Sequence, residues 1–132
     1  ALVHGVRTGE MPFRLVYQQG IFEYLRQHPR QDEIFSRSMA SISAPENAAV
    51  ARGFDFGRFQ TLVDVGGAHG HLLAAVLRQH RRLRGVLYDQ QQVVAAAGKS
   101  GHLRKAGVAS RCRVEGGDFF RAVPAGADAY MM

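Results

Sequence analysis

The apolar positions of this chain change period once, between roughly the first fifty residues and the rest. In the first part they recur at helical spacing. Ile21, Phe22 and Leu25 lie on one face of a short helix that His28-Pro29 ends, because proline cannot continue the hydrogen-bond ladder. From Gln31 onward, Phe35, Met39 and Ile42 repeat at the same spacing. Ser43-Ala44-Pro45-Glu46 then has the form of a capping box with proline near the first turn. The pattern predicts a helix, a kink or restart at Ser43, and a second helix through Val50-Ala51. Gly53 to Gly57 reads as a loop.

Beyond it the signal is that of strands. Thr61-Leu62-Val63-Asp64-Val65 is a short apolar run that a glycine cluster ends, as in a buried strand entering a tight turn. His71 to His80 carries Leu72, Leu73, Val76 and Leu77 on one face and predicts a helix. Arg84 to Asp89 predicts a second strand, and two helices broken at Gly98 to Gly101 fill Gln90 to Gly107. Ser110 to Glu115 alternates Cys112 and Val114 inward with Arg111 and Arg113 outward, a third strand. Asp128 to Met132 starts a fourth. Strand, helix, strand, helix, strand implies an α/β fold with a parallel sheet. The expectation is a partial Rossmann-like sheet of about four parallel strands over residues 53–132, preceded by a helical segment over residues 1–52. Internal repeats and low-complexity tracts are absent.

Composition narrows the setting. The apolar runs stay below the roughly 18 residues of a membrane span. Ala1-Leu2-Val3-His4 does not open a basic-then-apolar signal peptide. Cys112 is the sole cysteine, so no internal disulfide forms, and a reducing cytoplasmic setting is expected. The formal charge of +6 raises nucleic acid as a partner. The arginines are scattered, however, apart from Arg78, Arg81, Arg82 and Arg84, which read as a solvated helix end. Neither nucleic acid nor membrane is an expected partner.

The candidate chemistry sits at the strand ends. In open α/β sheets ligands bind beyond the carboxyl ends of the strands. The turn Asp64-Val65-Gly66-Gly67-Ala68-His69-Gly70 lets the backbone approach a ligand closely, and the helix after it favours negative groups. The alternative is a tight strand-to-helix turn with no ligand. The dinucleotide fingerprint fails at Ala68 and His71 from Gly66, and at His69 from Gly67. A phosphate loop ending in Gly98-Lys99-Ser100 fails at Val93. The methyltransferase pattern, an acidic residue followed by alternating glycines, fits at Asp64, Gly66 and Gly70 with Ala68 in the middle position. Asp89 ends the second strand, where a carboxylate accepts ribose hydroxyls or caps a helix. Gly117-Asp118-Phe119-Phe120 follows the third, offering an acceptor for an adenine amine and a ring for its face, or a loop aspartate beside core phenylalanines. His69 and His71 have the form of a metal pair but lack further ligands nearby, and no metal is expected.

Four blocks in order, Leu62-Val63-Asp64-Val65-Gly66-Gly67, Gly85-Val86-Leu87-Tyr88-Asp89, Gly117-Asp118-Phe119-Phe120 and Val123-Pro124-Ala125-Gly126-Ala127-Asp128-Ala129-Tyr130, resemble the plant-type and bacterial small-molecule O-methyltransferases. Gly20-Ile21-Phe22-Glu23-Tyr24-Leu25 upstream is similar too. The resemblance implies an S-adenosyl-L-methionine-dependent enzyme methylating a hydroxyl of a small aromatic or polyketide-like molecule. It implies that Gly66, Gly67 and Gly70 line the methionine end of the cofactor, that Asp89 holds the ribose, and that Asp118 and Phe119 hold the adenine. Ser43 matches a position that reaches the cofactor, and Phe35 and Met39 match positions flanking the acceptor; plain core and a helix cap are the other readings. Ala68 departs from the family's glycine, and Gln91 from the proline after the ribose-binding aspartate. The family's catalytic histidine follows the fourth strand, so the base is expected beyond Met132, no catalytic residue is assigned here, and this chain alone is expected to be inactive. The fourth strand is expected to be left as an unpaired edge, which implies self-association. A catalytically inactive cofactor-binding fragment is the second reading, and an RNA methyltransferase the third.

Overall fold

Prolines and left-handed residues set the helix limits in the first part of the chain. The structure, a computed structural model, describes all residues 1–132. Helix α1 (Leu2–Thr8) stops where Gly9 turns left-handed at φ 75°. Helix α2 (Pro12–Tyr17) opens on a proline and stops at Gln18, φ 56°. Helix α3 (Ile21–Gln27) ends before Pro29, as expected, and α4 (Pro29–Gly53) starts on that proline. Residues Ala1–Ser41 form one compact unit and Ile42–Met132 a second. The division falls inside α4, whereas the boundary expected from the sequence lies at the end of that helix.

One expectation fails in α4. The helix is unbroken and carries Pro45 in its interior, so no restart occurs at Ser43. Proline removes one N–H from the ladder. The strong helix formers Ala44, Glu46, Ala48 and Ala49 around it carry the helix across that gap. The expected loop is also shorter. Gly53 closes α4, and Phe56–Arg58 is a 3₁₀ turn in which the Asp55 side chain accepts the Gly57 N–H at 3.0 Å.

The second unit is built on four parallel strands: β1 (Thr61–Val65), β2 (Arg84–Asp89), β3 (Cys112–Gly116) and β4 (Ala129–Met131), in the order β3-β2-β1-β4. The order reverses at β1, which pairs with β2 on one side and β4 on the other. Helices α5 (His71–Gln79), α6 (Gln91–Ser100) and α7 (His102–Lys105) complete the connections. The break between α6 and α7 is narrower than expected. Gly98 stays inside α6, and only Gly101, φ 64°, turns left-handed.

Strand alternation sorts the core into two faces. Leu62 and Leu87 pack with Leu73, Val76 and Leu77 of α5, Ala97 of α6 and Leu103 of α7. Val63, Val65, Val86 and Tyr88 form the other face, with Phe119 and Ala127 against them. Each fully buried leucine or valine contributes roughly 1.5–3 kcal/mol. The third strand departs from the simple alternation. Cys112 is half-buried, but Val114 is 42% exposed because β3 is an outer strand with a neighbour on one side only. Arg111 lies before β3 and does not point to solvent. Its guanidinium donates to the carbonyls of Leu77 at 2.7 Å, Leu83 at 2.8 Å and His80 at 3.1 Å, closing the carboxyl end of α5.

Candidate functional site

The turn between β1 and α5 has a packed side and an open side. Gly66 and Gly70 have φ 71° and 76°, and Ala68, with φ 49°, is left-handed without being glycine. A Cβ on Gly66 would meet nothing within 4 Å. A Cβ on Gly67 would lie 2.5 Å from Asp64 Oδ2 and 2.6 Å from Leu87 Cδ1, so this position has no room for a side chain. Gly70 lies over Leu103 and Leu87 and caps α5. The Gly66 N–H donates to the Tyr88 carbonyl at 2.8 Å and fixes the turn to the neighbouring strand.

Asp89 ties two loops together. Its Oδ2 accepts the Ala68 N–H at 2.8 Å and its Oδ1 accepts the Gln90 N–H at 2.7 Å. Gln90, not Asp89, is the cap residue of α6, so the capping alternative for Asp89 does not hold. Gln91 takes the first helical position, where proline is also favoured. Each carboxylate oxygen has a second lone pair, so Asp89 keeps capacity for further donors. The Gly117 N–H donates to the Asp89 carbonyl at 2.9 Å and brings the β3 loop beside it. Side chains are barred there as well, since a Cβ on Gly117 would overlap the Tyr88 ring. The Tyr88 hydroxyl in turn donates to the Ala122 carbonyl at 2.8 Å.

The charges around the turn are unequal. Asp64 is 4% exposed, and its Oδ2 has no hydrogen-bond partner. Burial, with the Asp89 charge adding to it, pushes its carboxyl up to about 7 against a partial opposing effect of the Leu73 N–H. His71 and His102 lie with ring centroids 3.9 Å apart, and His69 is 6.3 Å from His71. Burial first, and then the mutual repulsion of this cluster, holds His71 and His102 below the usual imidazole value.

The O-methyltransferase domain family model matches residues 1–132. The chain belongs to the O-methyltransferase domain family. It is 41% identical to the phenazine O-methyltransferase of Lysobacter antibioticus over 131 residues, 99% of this chain and 38% of that enzyme. It is 39% identical to the mitomycin biosynthesis 6-O-methyltransferase of Streptomyces lavendulae, covering 99% of this chain and 37% of that one. The chain thus spans under two fifths of the length of these curated relatives. Among solved structures it matches an O-methyltransferase of neocarzinostatin biosynthesis in complex with S-adenosylmethionine and 2-hydroxy-5-methyl naphthoic acid. That match has a TM-score of 0.86 at 32% identity and covers 98% of this chain and 39% of that one. Human N-acetylserotonin methyltransferase, at 20% identity and a TM-score of 0.84, shares the fold.

Against this family pattern, six of the nine expected site residues come together. Gly66, Gly67, Gly70, Asp89, Asp118 and Phe119 all follow or close the carboxyl ends of β1, β2 and β3. Asp118 is exposed, and its Oδ1 accepts the Phe120 N–H at 3.0 Å. Phe119 is half-buried against the cluster of Val63, Val65, Val86 and Tyr88, whereas Phe120 is 89% exposed beside it. Ser43 is half-buried within α4. Phe35, half-buried, and Met39, 45% exposed, lie on α4 in the first unit. Sequence reasoning missed the Arg111 clamp and the Tyr88 tether, neither of which leaves a local signal. A cavity of about 470 Å³ opens elsewhere in this unit, lined by Thr61, Arg84, Arg113 and Gly126 toward the amino ends of the strands, and it holds none of the expected site residues.

Proposed function

We propose that this chain is the cofactor-binding part of an S-adenosyl-L-methionine-dependent O-methyltransferase that acts on a hydroxyl of a small aromatic or polyketide-like molecule. The observation that carries this reading is the convergence of the open Gly66 turn, Asp89 and the Gly117-Asp118 loop at one end of a β3-β2-β1-β4 sheet. The open space over Gly66, the spare acceptor capacity of Asp89, the exposed Asp118 and the half-buried Phe119 fit an adenosyl group with a short amino-acid tail. In this reading Gly66, Gly67 and Gly70 line the amino-acid end. Asp89 orients the ribose, Asp118 with Phe119 receives the adenine, and the family resemblance assigns Ser43 to the cofactor and Phe35 and Met39 to the acceptor. When bound, the cofactor supplies an electrophilic methyl group. Much of the catalysis is positioning. No residue of this chain is assigned as the base that takes the acceptor proton.

The relatives support this. Similar chains include O-methyltransferases of phenazine, mitomycin and puromycin chemistry. The reading assigns the positive charge to solvated helix ends and to clamps such as Arg111, not to nucleic acid. It includes a reducing cytoplasmic setting, with Cys112 free; no helix is long and apolar enough to cross a membrane. It also includes self-association, to be checked by the mass in solution. Calorimetric titration with S-adenosylhomocysteine and with NAD tests the main claim. Adenosylhomocysteine is expected to bind and NAD not to. Tight NAD binding without adenosylhomocysteine binding refutes it.

A further inference from the structure

Asp64 is the polar group that the site reading leaves unexplained. It belongs to a central strand, in register with Leu87 of β2 and Met131 of β4, so it cannot swing sideways. Its carboxyl group lies beneath Gly67 on the core side of the turn, as the 2.5 Å separation between Oδ2 and a Gly67 Cβ requires. It is 4% exposed, makes no ion pair, and leaves Oδ2 without a partner. Asp89, two residues past Leu87 on the same face, holds the turn from the far side through the Ala68 N–H. A negative charge on Asp64 would be buried, unpaired and close to a second carboxylate, an arrangement that proteins avoid by keeping one of the two groups neutral.

We propose that Asp64 is a positioning residue for the cofactor turn: its neutral carboxyl group supports Gly67 from beneath, and a negative charge there loosens the turn and weakens cofactor binding. This rests on the proposed function for the word cofactor, but not for the turn itself. The raised carboxyl, at about 7, places the loss within reach of ordinary pH. The titratable groups coupled to it are Asp89 on β2 and Cys112 on β3, whereas His69 in the turn, His71 on α5, and His102 and Lys105 on α7 are coupled to one another. Burial pushes the Cys112 thiol up to about 11, and His71 and His102 are held below the ordinary imidazole value. The Cys112 thiol therefore stays protonated where Asp64 ionises, and His71 and His102 are shifted in the opposite direction from Asp64. The alternative is opposite in sign. If an ionised Asp64 paired with a cationic group of the ligand, affinity would rise with pH and the amide variant would bind poorly.

The experiment compares the native chain with Asp64→Asn. Affinity for S-adenosylhomocysteine is measured by calorimetry between pH 6 and 9. The native chain is expected to lose up to tenfold per pH unit above the midpoint, and Asp64→Asn to bind within about threefold of native at pH 6 with a flatter profile. Native affinity that is flat or rises with pH, or a more than tenfold loss in Asp64→Asn at pH 6, overturns the proposal. A second readout does not depend on the ligand. The amide NMR shifts of Gly66, Gly67 and Ala68 in the ligand-free native chain are expected to titrate together with the Asp64 carboxyl near neutral pH. An Asp64 carboxyl that titrates near the ordinary aspartate value, with those amides silent at neutral pH, overturns the proposal even if the variant does not fold. Failure of both chains to bind adenosylhomocysteine at any pH would refute the proposed function while leaving this titration to decide the role of Asp64.

Discussion

Adding one methyl group at Gly67 tests the two-sided turn most directly. An alanine there would place its Cβ 2.5 Å from Asp64 Oδ2, 2.6 Å from Asp64 Cγ and 2.6 Å from Leu87 Cδ1. Contacts that short do not persist, so Asp64 or the turn must move by about half an ångström or more, and overpacking of this kind costs roughly 1–3 kcal/mol. Gly66→Ala has a different origin of cost. Nothing lies within 4 Å of its Cβ, but φ is 71°, which costs an alanine roughly 1–2 kcal/mol. The sizes overlap, so a double-mutant cycle separates them. Removing the Asp64 side chain relieves two of the three contacts at Gly67 and none at Gly66. In an Asp64→Ala background Gly67→Ala is expected to cost about 1–2 kcal/mol less than in the native chain, while Gly66→Ala adds within about 0.5 kcal/mol. Urea unfolding of the five variants and the native chain measures both. A Gly67→Ala chain as stable as native, or one whose cost is the same with and without Asp64, would show that the turn does not rest on that carboxyl group.

Other substitutions follow from the same geometry. Ala68→Gly relieves a left-handed alanine at φ 49° but loosens the unfolded chain, so stability in urea is expected to hold or rise by up to about 1 kcal/mol, with adenosylhomocysteine affinity equal or better. Arg111→Ala abandons the carbonyls of Leu77, His80 and Leu83 and is expected to cost about 2–4 kcal/mol, with little recovery in Arg111→Lys, whose single ammonium lacks the fork; thermal melts check both. Asp89→Ala is expected to weaken adenosylhomocysteine binding by roughly 1.5–3 kcal/mol in calorimetry and also to lower stability, because the Ala68 and Gln90 amides lose their acceptor. For pH, the Asp64 carboxyl rises from 3.8 to about 7 on folding, so the folded state keeps a proton that the unfolded state has released between those values. Stability from this group is full below about pH 4 and lost as pH rises through about 7, a change of at most about 4 kcal/mol, and urea midpoints across that range should flatten in Asp64→Asn.

The fold was legible where a local pattern determines the structure. The run Thr61–Val65 and the run Arg84–Asp89 are strands with those limits because each is apolar, short and stopped by glycine or a helix start. The helix at His71 was legible because its buried positions repeat at one period. The errors fall where non-local geometry overrides local signals. Ser43 to Glu46 carries every mark of a helix start, yet good helix formers on both sides of Pro45 keep one helix running through it. Arg111 precedes an alternating strand and reads as solvent-facing, yet the carbonyls at the end of α5 are brought to it by the fold, from residues far away in sequence. Val114 reads as core and is half in the open because strand order, which alternation cannot reveal, puts β3 on the outside.

The two carboxylates of the site show why residue type located the site but not its electrostatics. Asp64 and Asp89 both sit near the ends of apolar strands, and residue type alone does not distinguish them. Their strands are neighbours, and both side chains share one face of the sheet. What separates them is the supply of donors. Asp89 stands where β2 gives way to α6 and where the glycine turn passes overhead, so it meets two free N–H groups that no helix or strand has claimed. Asp64 lies one step back, inside the ladder, where the Leu73 N–H only partly offsets burial and the Gly67 backbone covers it. A buried carboxyl group with an empty oxygen favours its proton, as Asp64 does. Asp89 therefore carries the ligand-facing assignment, and Asp64 acts on the ligand only through the turn it supports.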